Sequence, residues 1–117
     1  MDFEVIIFID LQSSEDRGRL KVFCCDLFKM NIDMLETPID RVFDRGSYVA
    51  IEREDREKYV KLMLTLMSPK FKYLLAAVQY DPTKFDGPPR HADREELTKF
   101  YTTPGMIQIR LFNVKIY

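Results

Sequence analysis

The first apolar run, residues 3–11 (FEVIIFIDL), is dominated by β-branched and aromatic side chains and predicts a strand. A polar turn over 12–19, with Ser13, Ser14 and Gly18, separates it from a second strand over 20–25 (LKVFCC) that runs on towards Phe28. A short third strand over 39–43 (IDRVF) ends at Asp44-Arg45-Gly46. From Glu54 to Met67, the apolar residues Tyr59, Val60, Met63, Leu64 and Met67 recur at helical spacing. Glu54 with Lys58, and Glu57 with Lys61, form acid-before-base pairs suited to that helix's exposed face. Ser68-Pro69 is its expected stop. Residues 71–80 (FKYLLAAVQY) then carry a near-continuous apolar centre, the pattern of a parallel-sheet strand buried on both faces. After the loop 81–89 (DPTKFDGPP), Asp93 and Glu96 stand at capping-box spacing and open a short helix. Residues 102–105 (TTPG) end that helix, and 106–117 alternate as a last strand. The predicted order is β-β-β-α-β-α-β, an α/β chain whose second half alternates strand and helix.

Composition narrows the classes. With 117 residues, 46% of them hydrophobic, the chain is read as one domain, residues 1–117. Its 18 Lys+Arg against 19 Asp+Glu give a net charge of −1, without the basic excess of a phosphate-neutralising nucleic-acid binder. It also lacks the paired exposed aromatics of a small RNA-binding module. No apolar run approaches the roughly 18–20 residues of a membrane span, and the acidic start Met1-Asp2-Phe3-Glu4 is unlike a signal peptide. A soluble, cytoplasmic protein is expected. Cys24 and Cys25 are adjacent, which is poor disulfide geometry, and are expected to be buried, reduced thiols on a strand. Two thiols and the single His91 make a poor metal set, so no metal site is predicted.

The glycines, Gly18, Gly46, Gly87 and Gly105, exclude both a G-x-G-x-x-G fingerprint and a P-loop. One histidine without a G-x-S-x-G nucleophile turn argues against a hydrolase triad. In open α/β sheets ligands bind beyond the carboxyl ends of strands. Three segments take such places: Asp26-Leu27-Phe28, Asp44-Arg45-Gly46, and residues 80–89. An Arg in such a turn can hold a carboxylate bidentately. On spacing alone the plainer reading is favoured, in which Asp44 caps the next helix, Arg45 is a surface cation and Gly46 eases the turn. Asp16-Arg17-Gly18 repeats the triplet at a hairpin tip. Residues 80–89 read equally as a rigid surface loop or as a pocket wall. His91 reads as a solvated loop histidine rather than a general base, and Met63 and Met67 as core.

These segments together resemble the thiopurine S-methyltransferase family. The run from Asp44 to Ile51 (DRGSYVAI) is similar to the family's D-R-G-x-x-V-A-I, followed in order by FKYLL from Phe71, YDPTK from Tyr80 and Gly87-Pro88-Pro89. Upstream, the run from Cys24 to Phe28 (CCDLF) resembles the family's C-C-x-[IL]-F segment. The resemblance spans about residues 20–101 and implies a partial Rossmann-like class I methyltransferase sheet. It further implies methyl transfer from S-adenosylmethionine to a small-molecule aromatic or heterocyclic thiol, with neither nucleic acid nor membrane as partner. By that resemblance Asp26 and Leu27 lie beside the adenine ring through backbone contacts. Arg45 faces cofactor and substrate as the catalytic cation, and Pro88 and Pro89 line the acceptor pocket. The family's first βα unit, with its glycine-bearing turn, has no counterpart in residues 1–19. The expectation is therefore a fragment or short isoform, the middle and latter part of a methyltransferase domain, with impaired activity. The alternative is a non-catalytic α/β interaction domain that pairs through an exposed sheet edge.

Overall fold

The computed structural model describes residues 4–11, 19–101 and 106–116. The expected polar turn, with its Asp16-Arg17-Gly18 tip, and the 102–105 helix stop fall outside the described residues. Contacts divide the chain into two compact units, Met1–Thr37 and Pro38–Tyr117.

In the first unit, β1 (Glu4–Leu11) and β2 (Arg19–Asp26) form an antiparallel hairpin, in register from Glu4 opposite Asp26 to Leu11 opposite Arg19. They pair with each other and not with the parallel sheet. Two short 3-10 turns follow, Leu27–Lys29 and Ile32–Met34. Each opens on a side chain that accepts a backbone N–H two residues on, Asp26 from Phe28 and Asn31 from Asp33, both at 3.0 Å. The adjacent cysteines correct an expectation. Cys24 is exposed and Cys25 only half-buried, because consecutive strand residues point to opposite faces and a two-stranded ribbon has little with which to cover both.

The second unit is built on a three-stranded parallel sheet in the order β3-β4-β5, comprising β3 (Ile39–Arg45), β4 (Met67–Gln79) and β5 (Met106–Asn113). The helices α1 (Arg56–Thr65) and α2 (Arg94–Phe100) connect them. The predicted succession of strands and helices is thus observed, with α1 shorter than its apolar stripe suggested. A 3-10 turn, Arg53–Asp55, takes its first residues, and β4 starts at Met67. Pro69 lies inside β4, where the pairing jumps from Ile39–Met67 to Arg41–Lys72, so its missing N–H falls in an irregular stretch of the ladder. The Glu57–Lys61 pair forms at 3.4 Å, and Met63 and Met67 are core residues as expected. Among the described residues no helix is long and apolar enough to cross a membrane.

β4 departs from expectation in one respect. Phe71, Tyr73, Leu75 and Ala77 are buried, whereas Leu74, Ala76 and Val78 on the other face are only half-buried. The covered face is organised by a carboxylate. Asp44, 3% exposed, accepts the Tyr48 N–H at 3.0 Å, the Tyr59 hydroxyl at 2.6 Å and the Tyr73 hydroxyl at 2.7 Å. The Tyr101 ring packs on both Tyr73 and Tyr48, with centroids 5.4 and 6.0 Å apart. Burial, and after it neighbouring charge, pushes the Tyr59 and Tyr73 hydroxyls above the usual phenol range, so both remain donors at neutral pH. A hydrogen bond to a charged acceptor contributes about 1.5–3 kcal/mol. Asp44→Ala is therefore expected to lower stability by about 3–5 kcal/mol in urea unfolding, and Tyr73→Phe by about 1–2 kcal/mol.

Candidate functional site

The carboxyl ends of all three parallel strands share one edge, with Arg45 paired to Ala76 and Gln79 to Asn113. Past the end of β4 the chain makes the loop 80–91, and past β3 it makes the 3-10 turn Tyr48–Ala50. These two connections are tied together. The Arg90 N–H donates to the Val49 carbonyl at 2.7 Å, and Arg90 Nη1 to the Ala50 carbonyl at 2.6 Å. The loop is also closed on itself, since the Tyr80 hydroxyl donates to the Pro89 carbonyl at 2.7 Å and the Tyr80 N–H to His91 Nδ1 at 2.9 Å. Gly87 holds φ +93°, and a Cβ there would lie 2.8 Å from backbone atoms of Pro89 and Arg90, so only glycine fits. The Gly87–Pro88 and Pro88–Pro89 peptides are both cis. At the loop's start Asp81 accepts from the Thr83 hydroxyl and N–H, which holds its carboxyl below the ordinary range.

Arg56, at the first turn of α1, fixes this whole arrangement. It is fully buried and donates to the carbonyls of Ile51, Arg90 and His91 and to the Glu96 carboxylate, the last at 2.7 Å. Its guanidinium lies over the Tyr48 ring, 4.7 Å from the centroid, and the Tyr48 hydroxyl donates to the same Glu96 oxygen. Glu96 reaches this position because Asp93 caps α2, accepting the Glu96 N–H at 2.7 Å. The reciprocal half of the predicted capping box is therefore diverted to Arg56 and Tyr48.

Between the loop and the segment after the 3-10 turn lies an open cavity of about 430 Å³. The aromatic rings of Tyr80 and Phe85 line it together with Arg53, Asp86, Arg90 and His91. The loop thus does act as a wall, one of the two readings its prolines allowed. None of the expected site residues lines the cavity. Arg45 ends β3, exposed and with no hydrogen bond or ion pair to another described residue. Gly46, at φ +97°, eases the turn as the plainer reading has it, whereas Asp44 does not cap the next helix: it accepts the Tyr48 N–H in the 3-10 turn, and Asp55 precedes α1. Pro88 and Pro89 are exposed on the loop and do not line the cavity, although their neighbours Gly87 and Arg90 do. In the other unit, Asp26 caps its turn through Phe28, and Leu27 is buried. Arg56 was missed, and the signal was present: Arg56, Tyr59, Val60 and Met63 have i, i+3, i+4, i+7 spacing, which puts the cation on the apolar stripe.

A family model described as thiopurine S-methyltransferase matches residues 8–114. The chain belongs to the thiopurine S-methyltransferase family. The thiopurine S-methyltransferase of Bos taurus is 39% identical over 94 residues, covering 78% of this chain and 37% of that protein. That of Oryctolagus cuniculus is 38% identical over 89 residues (74% and 35%), and that of Canis lupus familiaris 42% over 87 (72% and 34%). The chain therefore spans little more than a third of the length of these relatives. The match includes the anchored loop, the cavity-lining residues and Arg56.

His91 is half-buried rather than freely solvated, and its role is structural. Nδ1 must be unprotonated to accept from Tyr80. Burial, reinforced by the Arg53 charge, sets the imidazole below its ordinary value. A lowered folded-state value means that the stabilisation is present above the unfolded value of about 6.5 and is lost as pH falls through the folded one. Stability is expected to decline as pH falls below about 6.5, as protonation removes a hydrogen bond of about 1 kcal/mol. Urea midpoints for the wild type and His91→Asn across that range check this, the variant showing the shallower slope.

Proposed function

We propose that this chain acts as an S-adenosylmethionine-dependent S-methyltransferase of the thiopurine type, in the cytoplasm, on small aromatic or heterocyclic thiols. The observation that carries the reading is the double anchoring of the segment bearing Pro88 and Pro89, through Tyr80 on one side and Arg90 on the other. It holds the exposed Pro88 and Pro89 in a fixed loop whose neighbours Gly87 and Arg90 line the cavity, and a preformed loop costs little to order when an acceptor binds. Arg45 ends the neighbouring strand exposed and with no ion pair to another described residue, which suits a carboxylate on cofactor or substrate.

The residues present fit the cofactor at two separate places. Arg45 offers an exposed guanidinium, and Asp26 turns its own carboxylate onto Phe28, which leaves contacts with an adenine ring to the backbone near Leu27. When bound, S-adenosylmethionine supplies a methyl group on a sulfonium sulfur, whose transfer to a thiolate needs alignment and exclusion of water more than a strong base. Arg45 would favour the thiolate form of the acceptor, and Pro88 and Pro89 would hold its ring. This division of labour requires no catalytic histidine, in keeping with a His91 engaged by the backbone. Residues 1–117, read as the middle and latter part of one methyltransferase domain, have no glycine-bearing turn for the methionine tail and ribose. These 117 residues by themselves are accordingly expected to bind the cofactor weakly and to transfer slowly.

Calorimetric titration of the chain with S-adenosylmethionine, paired with methylation of an aromatic thiol, tests the reading. Binding weaker than micromolar and slow, saturable transfer are expected. Arg45→Ala is expected to lower transfer about tenfold or more, without moving the melting temperature. Micromolar affinity would overturn the impairment, and no transfer at millimolar cofactor would overturn the enzymatic assignment.

A further inference from the structure

The loop 80–91 is closed at its neck by its own first and last residues. His91 Nδ1 accepts the Tyr80 N–H at 2.9 Å, and the two rings meet edge to face, 5.5 Å between centroids. Tyr80 passes this anchorage to the distal part of the loop, since its hydroxyl donates to the Pro89 carbonyl at 2.7 Å. One imidazole therefore orients the tyrosine that holds the segment bearing Pro88 and Pro89. The other bonds near the neck run from Arg56 to the His91 carbonyl and from the Ala92 N–H to the Val78 carbonyl. They hold the chain at and beyond His91 and contain no group that titrates near neutrality.

The bond from Tyr80 requires a neutral ring with its proton on Nε2. A proton taken from solvent at Nδ1 sets two donors against each other, so the ring has to leave the Tyr80 N–H. Charges from every neighbouring element bear on this step. Arg53, in the 3-10 turn before α1, and Arg56, in α1, oppose an imidazolium. Asp93 at the cap of α2, Glu96 in its first turn and Asp81 at the loop's start favour one. Burial, and after it the Arg53 charge, prevails and keeps the ring neutral in the closed loop. A displaced imidazolium has acceptors in the same cluster. Asp93 Oδ2 and Glu96 Oε2 lie 3.8 and 3.9 Å from Arg53 Nη2, too far for hydrogen bonds to it.

We propose that His91 is a proton-operated latch on this loop: neutral, it holds Tyr80 and through it the segment bearing Pro88 and Pro89; protonated, it lets both loosen. The latch is closed above the ordinary imidazole value of about 6.5 and opens as pH falls through the lower folded-state value. The loosening is local to the loop, beyond any share His91 has in global stability. As control of an acceptor wall the inference rests on the methyltransferase reading above; as a property of the loop it stands on the geometry alone.

His91 is the chain's single histidine, so its ring-proton NMR signal reports the titration directly. Amide hydrogen exchange of the full chain is followed in parallel between about pH 7.5 and 5, with rates corrected for their intrinsic pH dependence. Protection of the Tyr80 amide is expected to fall about fivefold or more, with the midpoint of the His91 signal, while β4 amides such as Leu75 keep theirs. In His91→Asn, whose side-chain carbonyl accepts without titrating, Tyr80 protection is expected to stay level. Tyr80→Phe is expected to keep the pH dependence at residue 80 and to abolish it at the Arg90 amide. Tyr80 protection unchanged through the His91 midpoint, or an equal fall in His91→Asn, would overturn the latch. An Arg90 amide as pH-dependent in Tyr80→Phe as in the wild type would overturn its transmission to the prolines. Exchange needs neither cofactor nor acceptor, so a chain that transfers no methyl group fails the methyltransferase reading alone.

Discussion

A fully buried guanidinium is the constraint on which the second unit depends. Removing Arg56 from water is costly, and the cost is met only because every side of the group has a partner. Those partners come from the whole unit: the Ile51 carbonyl after the 3-10 turn, the Arg90 and His91 carbonyls at the loop's end, and Glu96 on α2. None of these carbonyls belongs to a regular element, so each would otherwise need water or another donor. One side chain thus satisfies irregular backbone from two connections and fixes both relative to α1. The loop bearing Pro88 and Pro89 is rigid because its far end is held at this point.

Asp44 performs the complementary task from within the sheet. Where Arg56 gathers acceptors from the connections, Asp44 gathers donors from β4, α1 and the 3-10 turn onto the end of β3. The tyrosines bridge the two centres: Tyr59 binds Asp44, while Tyr48 gives its N–H to Asp44 and its hydroxyl to Glu96. Two buried charges of opposite sign are in this way embedded in one network of aromatic donors, without touching each other. Such a network is worth more than its separate bonds, and leaving it half-made would be expensive. Arg45 and Gly46 follow Asp44 directly, so the orientation of the cation at the sheet's carboxyl edge is inherited from a buried anchor.

Much of this was legible in the sequence. Period and turn chemistry gave the strand–helix succession, the Asp93 cap of α2 and the core places of Met63 and Met67, because these are local properties. The chemistry-bearing centres were less legible. Arg56 occupies the apolar stripe of α1, but a cation there reads as an exception until its partners, 34 to 40 residues away, are known. Asp44 was read as the cap of the next helix, whereas its bond to Tyr73, 29 residues on, is a consequence of parallel pairing that local spacing does not contain. Cys24 and Cys25 illustrate the opposite error. Their burial was inferred from residue type, yet cover depends on what packs over a strand, which no local pattern contains.

The same reasoning explains why the centre of β4 was misread as buried on both faces. A continuous apolar run records that neither face of a strand is built for water, and both faces of β4 do carry apolar residues. Only one of them is covered by side chains of α1, the 3-10 turn and Tyr101; on the other, Leu74, Ala76 and Val78 are half-buried beside exposed Phe43 and Phe112. The sequence thus encodes a requirement for cover that the folded unit meets on one side alone. Exposed Phe43 is hard to reconcile with a surface designed for solvent, since an aromatic side chain gains heavily from burial.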